Sequence, residues 1–352
     1  MSMQPRFLFQ IHNRRGLGHL MRGLNIAKEI RALAPSSDIL FYAKCSPPEG
    51  LMNGHFDCHV ASDSLWLSNW APVVRRFAPH IIIYDTILPK NPASEHLGNG
   101  ARYVYVMRQC DEAKQREIFE NPLLPQIDLI VVPHTRAEFG WEVPPFLHDR
   151  ISYVGPIVRD LDSMVQNRLR EKYGIHDGDF LLLSTIGGGG FANTAPAFFS
   201  AISEIHEVIH PRMPNLRHLV IQGPKFEQSI RALDGMTVIP YEPEIGNLIA
   251  ISSLVISEGG YNTVHEIRLA KTPAIFLPTA KHYDDQEARV RELERRGLAV
   301  VYTDRSPAPI AQKILELAGS PSGLTEIKQK YTAEQMVLGN RAAAKKILEL
   351  VA

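Results

Sequence analysis

Cysteine is nearly missing from this chain. Three thiols, Cys45, Cys58 and Cys110, occur in 352 residues, and their spacing fits no zinc, redox or disulfide framework. That argues against a disulfide-stapled secreted scaffold and for reduced thiols in a cytoplasmic protein. Net charge is missing too, because 38 Lys and Arg offset 38 Asp and Glu. With no basic excess, nucleic acid is not expected as a partner. Long apolar runs are also lacking. No stretch reaches the roughly 20 residues that a membrane-spanning helix needs. Phe7–Ile11 is too short for the core of a signal peptide and reads as a first strand. The expectation is a cytoplasmic protein, with a peripheral membrane contact left open.

What is present is ordinary soluble composition, 45% apolar and 22% charged, over a length that suits two domains. Short β-branched and aromatic runs alternate with amphipathic helical stretches. Phe7–His12, Ile39–Ala43, Ile81–Asp85, Tyr103–Met107, Leu129–Val132 and Ile151–Val154 read as strands. After Gly155–Arg159 the rhythm restarts with Leu181–Thr185, Leu219–Gln222, Val238–Ile239, Val255–Ser257, Ala274–Leu277 and Ala299–Tyr302. Apolar strands alternating with helices predict parallel sheets covered on both faces. The fold class is therefore α/β, with two Rossmann-like parallel-sheet domains facing across a cleft. The expected divisions are 1–159, 160–330 and a helical tail, 331–352.

Ligands on such sheets bind beyond the carboxyl ends of the strands, so the loops there carry the chemistry. The first is His12–Arg22. Gly16 and Gly18 allow a sharp turn, and His19 opens the helix. The positive end of a helix favours a neutral imidazole, which is what a general base needs. A packed polar cap is the plainer role for His19. Asp85 ends the strand Ile81–Asp85 and is the carboxylate available on that side. The second loop is Gly187-Gly188-Gly189-Gly190, a run of backbone N–H groups suited to a diphosphate, without the Lys-Ser or Lys-Thr of a P-loop. In the third, Tyr241 could bracket a nucleobase or only pack. The fourth is Ser257–Glu266. Gly259 and Gly260 stand where a strand becomes a helix, with Glu266 two turns on. Glycines for phosphate and one acid for ribose hydroxyls make a nucleotide site; a tight turn that needs glycine is the alternative. In the fifth, Asp285 and Gln286 could hold sugar hydroxyls or cap a helix.

Two further stretches invite other functions. His206-Glu207-Val208-Ile209-His210 matches the zinc-protease pattern. Its helix should bury Phe198, Ile202, Ile205 and Ile209, with both histidines on the flank and Pro211 at its end. Trp66, Trp70, Val73 and Val74 with Arg75 and Arg76 form an apolar helix with a basic end, either buried or facing lipid. No Asp-x-Asp pair lies near these loops, so no metal site and no cofactor are expected.

Taken together the loops resemble GT-B glycosyltransferases related to the bacterial N-acetylglucosaminyltransferase that completes the lipid-linked peptidoglycan precursor (family 28-like). Gly16–His19 resembles that family's first glycine loop, whose His is its proposed base. Gly155-Pro156-Ile157-Val158-Arg159 is similar to the Gly-Asn-Pro-Val-Arg ending its N-domain, with Pro156 in the Asn position. Gly187–Gly190 resembles the second glycine loop, and Tyr241 stands where the family often has Phe over the uracil. Gly260, Thr263 and Glu266 match the donor motif, in which Glu binds the ribose. Asp285-Gln286 matches the acid–amide pair near the donor sugar. Glu258–Thr263, with Asn262, is closer still to a group of predicted glycosyltransferases. Gly16–Arg22 is also similar to the nucleotide-sugar hydrolase of pseudaminic acid synthesis.

The resemblance implies an inverting, metal-independent transfer from a nucleotide diphosphate-sugar, UDP-linked, to a small-molecule or lipid-linked acceptor, with 1–159 as the acceptor side, 160–330 as the donor side and the 331–352 helix crossing back to the first domain. Two other readings follow: a hydrolase in which His19 activates water, and a non-catalytic nucleotide-sugar-binding subunit.

Overall fold

Apolar runs bounded by glycine and polar turns become strands, and the amphipathic stretches between them become helices. The computed structural model describes residues 4–14, 16–52, 54–90, 100–188, 194–280, 284 and 286–351. The chain divides into two units, Met1–Val158 with Val337–Ala352, and Arg159–Met336.

The first unit contains β1 (Arg6–Ile11), α1 (Gly18–Leu33), β2 (Asp38–Ala43), β3 (Asp57–Val60), α2 (Trp66–Phe77), β4 (Ile81–Asp85), β5 (Arg102–Val106), α3 (Glu112–Phe119), β6 (Leu129–Val132) and β7 (Ile151–Tyr153). Its seven strands lie in the order β3-β2-β1-β4-β5-β6-β7. Every pairing is parallel. Alternate residues feed two layers. Leu8, Ile82 and Tyr84 pack with Trp66 and Trp70 on one face. Phe7, Phe9, Ile81 and Ile83 pack with Leu20 and Leu24 on the other. Burial on both faces is why these strands read as unbroken apolar runs rather than alternating ones.

The second unit contains α4 (Ser163–Tyr173), β8 (Phe180–Thr185), α5 (Ala195–Ile209), β9 (Leu216–Ile221), β10 (Met236–Ile239), α6 (Ile245–Ala250) and β11 (Leu254–Ser257). It continues with α7 (Tyr261–Ala270), β12 (Ala274–Phe276), α8 (Gln286–Arg295), β13 (Ala299–Val301), α9 (Pro307–Gly319) and α10 (Pro321–Ala333). The sheet order is β10-β9-β8-β11-β12-β13, again all parallel. Both sheets thus reverse direction at one place, between β1 and β4 and between β8 and β11. There the loops leaving neighbouring strands diverge, and a crevice opens at the carboxyl edge.

The last helix, α11 (Asn340–Leu348), belongs to the first unit. Its Ala343, Ala344 and Ile347 are buried in the same layer as Leu20 and Leu24 of α1. The returning segment is clamped against the outgoing one. Gly339 N–H donates to Pro156 O at 2.7 Å, and Asn340 Nδ2 donates to Val158 O at 2.7 Å. A Cβ on Gly339 would come within 2.4 Å of Gly155 O, so this crossing requires glycine.

One element differs from the sequence reading, and a choice it left open is decided. β3 is an edge strand that composition did not reveal, because Asp57-Cys58-His59-Val60 is short and mixed. The α2 face made by Trp66, Trp70, Val73 and Val74 is buried rather than turned to lipid. Among the described residues, no helix is long and apolar enough to cross a membrane.

Candidate functional site

The reversal point of the first sheet brings His19 and Asp85 together across 66 positions of sequence. His19 stands in the first turn of α1, after the β1 loop, and Asp85 is the last residue of β4. His19 Nδ1 lies 2.8 Å from Asp85 Oδ1. Arg22, one turn further along α1, donates from Nε to Asp85 Oδ2 at 3.0 Å and from Nη2 to Oδ1 at 2.5 Å. The Thr86 hydroxyl adds a bond to Oδ1 at 2.8 Å. Asp85 and Arg22 are almost wholly buried, whereas a quarter (24%) of the His19 side chain reaches solvent.

This geometry fixes protonation states. Burial alone would push the Asp85 carboxyl up, but the Arg22 guanidinium and the His19 bond outweigh it and hold Asp85 well below the usual carboxylate range. An ionised carboxylate only accepts, so His19 Nδ1 must donate. The lone pair of neutral His19 is then on Nε2. Arg22 Nη2 also approaches His19 Nδ1 to 3.4 Å, but two donors cannot bond each other, so the bond to Asp85 takes precedence. A base oriented by a carboxylate is the arrangement general-base chemistry requires.

His12 sits beside this pair, its ring 4.8 Å from Trp66. Burial, then Lys44 and His19, push its pKa down from 6.5 to about 3. The unfolded chain therefore binds a proton that the folded chain refuses as pH drops below 6.5. The first unit should lose about 2 kcal/mol on this account by pH 5. Hydrogen exchange at the β1 and β4 amides should record the loss, and His12→Gln should flatten it. An equal pH slope in the variant would contradict the assignment.

The reversal point of the second sheet gathers the loop residues singled out in the second half of the sequence. Gly187, after β8, lies so close to α7 that a Cβ there would be 3.8 Å from Thr263 Oγ1. Gly259 has φ +85°, and a Cβ on it would meet Val290 Cγ1 at 2.4 Å, so this turn too admits only glycine. Asn262 and Thr263 lie in the first turn of α7, which has neither a side-chain cap nor an acid there. The N-terminus of α5, after the glycine run, lacks both as well. Such ends offer N–H groups and a positive dipole to an anion. Gln286 is buried with Oε1 accepting from Thr279 N at 3.4 Å, and its Nε2 would be 4.0 Å from a Cβ on Gly260. Gly189, Gly190 and Asp285 lie outside the described residues.

Glu266 is buried in α7 beneath α6, where a Cβ on Gly246 would touch its Cγ at 3.7 Å. Burial pushes its pKa up to about 7, opposed only in part by Arg159. Tyr241 is half-buried, and burial also raises its phenol to about 12. Its loop is braced from below. Glu242 accepts from Lys172 Nζ at 2.7 Å and Tyr173 OH at 2.5 Å, and Arg159 pairs with Glu244.

These residues stand on a segment with known counterparts. The glycosyltransferase family 28 C-terminal domain matches residues 186–347. That segment is thus similar to the C-terminal domain of the family 28 glycosyltransferases. An uncharacterized glycosyltransferase of Methanopyrus kandleri is 27% identical over 69% of this chain and 69% of its own length. The UDP-N-acetylglucosamine–N-acetylmuramyl-(pentapeptide) pyrophosphoryl-undecaprenol N-acetylglucosamine transferase of Rickettsia bellii is 28% identical over 59% of this chain, which spans 60% of that enzyme's length. Among solved structures, a UDP-glucosyltransferase from Polygonum tinctorium aligns over 100% of this chain and 99% of its own, with TM-score 0.69 and 13% identity. Spinosyn forosaminyltransferase aligns over 99% and 100%, with TM-score 0.66 and 14% identity. Identities this low speak for the fold alone, which is that of the GT-B glycosyltransferases.

The family 28 domain also holds residues that sequence reasoning missed. Glu258, next to the glycine turn, is buried and accepts from Thr279 Oγ1 at 2.7 Å and Arg305 Nη2 at 3.0 Å. Arg305 donates as well to Thr194 O at 3.2 Å and Leu277 O at 3.4 Å, tying three loops of the domain together. Arg305 thereby supplies the counter-charge for the buried Glu258. Arg289 donates to Gly259 O at 2.9 Å and pairs with Asp284 at 2.6 Å. Neither arginine belongs to a local motif, so only the fold reveals them.

The zinc-like pattern lies elsewhere in the domain and does other work. His206 is buried, not on the flank of α5 as its periodicity suggested. Its Nε2 donates to Asp234 O at 2.8 Å, and its Nδ1 meets His218 Nδ1 at 3.0 Å. His218 Nε2 in turn accepts from Ser184 Oγ at 2.9 Å. All four ring nitrogens of His206 and His218 are satisfied with both rings neutral. Burial and then His206 push His218 down to about 3. Glu207 turns outward to Arg231.

Proposed function

We propose that this protein is an inverting glycosyltransferase that takes its sugar from a UDP-linked donor. The observation that carries the reading is Glu266. It is a buried carboxylate that accepts no hydrogen bond from any described residue, held behind two glycine loops in a family 28 domain. A buried acid of that kind is costly to ionise unless a ligand supplies donors, and ribose hydroxyls are suitable donors. Gly187, Gly259 and the open N-termini of α5 and α7 would receive the diphosphate. Gln286, with Asp285, would hold the sugar, and Tyr241 would cover the base.

In the reaction, the acceptor's oxygen or nitrogen attacks C1 of the sugar from the face opposite the nucleotide. The C1–O bond to the diphosphate breaks, and the nucleotide diphosphate leaves. His19 Nε2 takes the acceptor's proton, while Asp85 keeps the ring in the tautomer that can do so. Two helix N-termini and Arg289 would stabilise the departing charge without a metal. Turnover is therefore expected to survive excess EDTA unchanged, and a drop that added Mg²⁺ restores would refute metal independence.

The test of the donor is thermal shift against UDP, dTDP, ADP and NAD. Stabilisation by UDP above the others is expected, and no response to any nucleotide would remove the proposal. The test of the reaction is nucleotide release from UDP-sugars across acceptors. Release at full rate with no acceptor, abolished in His19→Ala, would make the protein a hydrolase instead. Tight binding with no turnover across all acceptors would make it a binding subunit. A lipid-linked acceptor, and with it a peripheral membrane contact, is one arm of the acceptor series.

A further inference from the structure

The proposed base does not act with Asp85 alone. Asp85 Oδ1 is the meeting point of three donors, His19 Nδ1 at 2.8 Å, Arg22 Nη2 at 2.5 Å and Thr86 Oγ1 at 2.8 Å. Arg22 Nη2 also donates to Thr86 Oγ1 at 3.0 Å, which leaves the hydroxyl proton for Asp85. The other carboxylate oxygen is held by Arg22 Nε at 3.0 Å.

The backbone at this point is as constrained as the side chains. Thr86 has φ 60°, in the left-handed region that a β-branched residue avoids. Ile87 N–H donates to Asp85 O at 2.6 Å, closing a three-residue turn centred on Thr86. Tyr105 OH, from the next strand, donates to Thr86 O at 2.9 Å and holds the turn in place. Strain of this kind persists only where its surroundings over-determine it, and it collects at functional sites. Here it turns the Asp85 carboxylate back toward α1.

We propose that Arg22 and Thr86 are positioning residues for the His19–Asp85 pair. They lock the carboxylate in one rotamer and saturate Oδ1, so that Asp85 orients His19 without accepting its proton. A carboxylate oxygen with three donors is a weak base, and the proton stays on Nδ1. The imidazole then presents Nε2 as an acceptor in a single tautomer. Which ring nitrogen carries the proton is set by the bond the other makes, so loosening Asp85 frees the tautomer. The role assigned to His19 rests on the transferase reading, but the hydrogen-bond arrangement does not.

The test pairs Arg22→Lys with Thr86→Val. Lysine keeps the charge and loses the two-pronged grip. Valine keeps the shape and loses only the hydroxyl. Displacing a catalytic group by about 1 Å can cost 10²-fold. Turnover should therefore fall about 10- to 100-fold in Arg22→Lys and less in Thr86→Val, with the KM for the donor changed by less than about threefold. The decisive readout is nitrogen-15 NMR of the His19 ring in the free protein at pH 8. Wild type should show the proton on Nδ1, and each variant a mixture of tautomers. A wild-type spectrum in both variants overturns the proposal, as does a loss of turnover that only tracks the folded fraction. If the tautomer shifts while wild type itself transfers no sugar, the positioning stands and the transferase reading falls.

Discussion

His19→Ala is expected to lower turnover by about 10²- to 10⁴-fold, the range for loss of a general base, and to leave thermal stability nearly unchanged. Asp85→Asn is expected to lower both. The difference follows from burial. His19 is partly in solvent, and removing it takes one of four bonds from Asp85 while Arg22 still neutralises the carboxylate. Asn at position 85 removes the counter-charge from a guanidinium that is 2% exposed. Breaking a buried pair in that way costs about 3–5 kcal/mol. An amide can also donate where the carboxylate only accepted, which places the His19 proton on the wrong nitrogen. The same change in a serine protease triad costs about 10⁴ in turnover. Measuring release rates and melting curves on both variants separates the roles. Near-wild-type turnover in His19→Ala would remove it as the base.

Glu266→Gln is expected to make the nucleotide-free protein more stable and the nucleotide complex weaker. The carboxyl's folded-state value, about 7, lies above its ordinary 4.5. Its contribution is therefore intact below pH 4.5 and lost as pH rises to 7. At pH 8 the buried anion costs the fold up to about 3 kcal/mol, which the amide does not. A nucleotide that donates ribose hydroxyls favours the anion, so wild type should bind UDP more tightly at pH 8 than at pH 6. The variant should lose about 1.5–3 kcal/mol of binding and most of that pH dependence. Calorimetric unfolding and titration at the two pH values would measure both. Equal stability at pH 8, or unchanged UDP affinity, would show that Glu266 does not face the ligand. The same titration offsets another in this unit. Acidification below pH 6.5 penalises the buried His218, whose value is about 3, by about 2 kcal/mol at pH 5. Glu266 returns a similar amount over that range. Replacing Glu266 should therefore make the second unit soften more on acidification than it does in wild type.

The parts of this structure that could be read from sequence are the local ones. A glycine pair between a strand and a helix, as at Gly259-Gly260, declares itself because the turn and the strand end are adjacent in the chain. His19 was legible for the same reason. Asp85 was legible too, as the carboxylate ending its strand, but its bond to His19 was not, since the parallel pairing of β1 with β4 brings the two together. Arg22 stood inside a recognised motif, yet nothing local distinguishes a buried ion-pairing arginine from a solvated one. Arg305, after β13, and Glu258, after β11, are 47 positions apart and meet because both strands flank β12 in the sheet. The histidines of α5 misled by spacing alone. The partner that defines His206 is His218, on a strand, and no helical periodicity can contain it.

The return of the chain at Val337 has a consequence for how the protein is made. Domains generally fold in order as the polypeptide emerges from the ribosome, the N-terminal one first. Here the first unit lacks Ala343, Ala344 and Ile347 in one of its core layers, and the clamp of Gly339 on Pro156, until the second unit has been synthesised. The nascent first unit thus waits with an uncovered apolar face on α1 while the whole second unit is translated and folds.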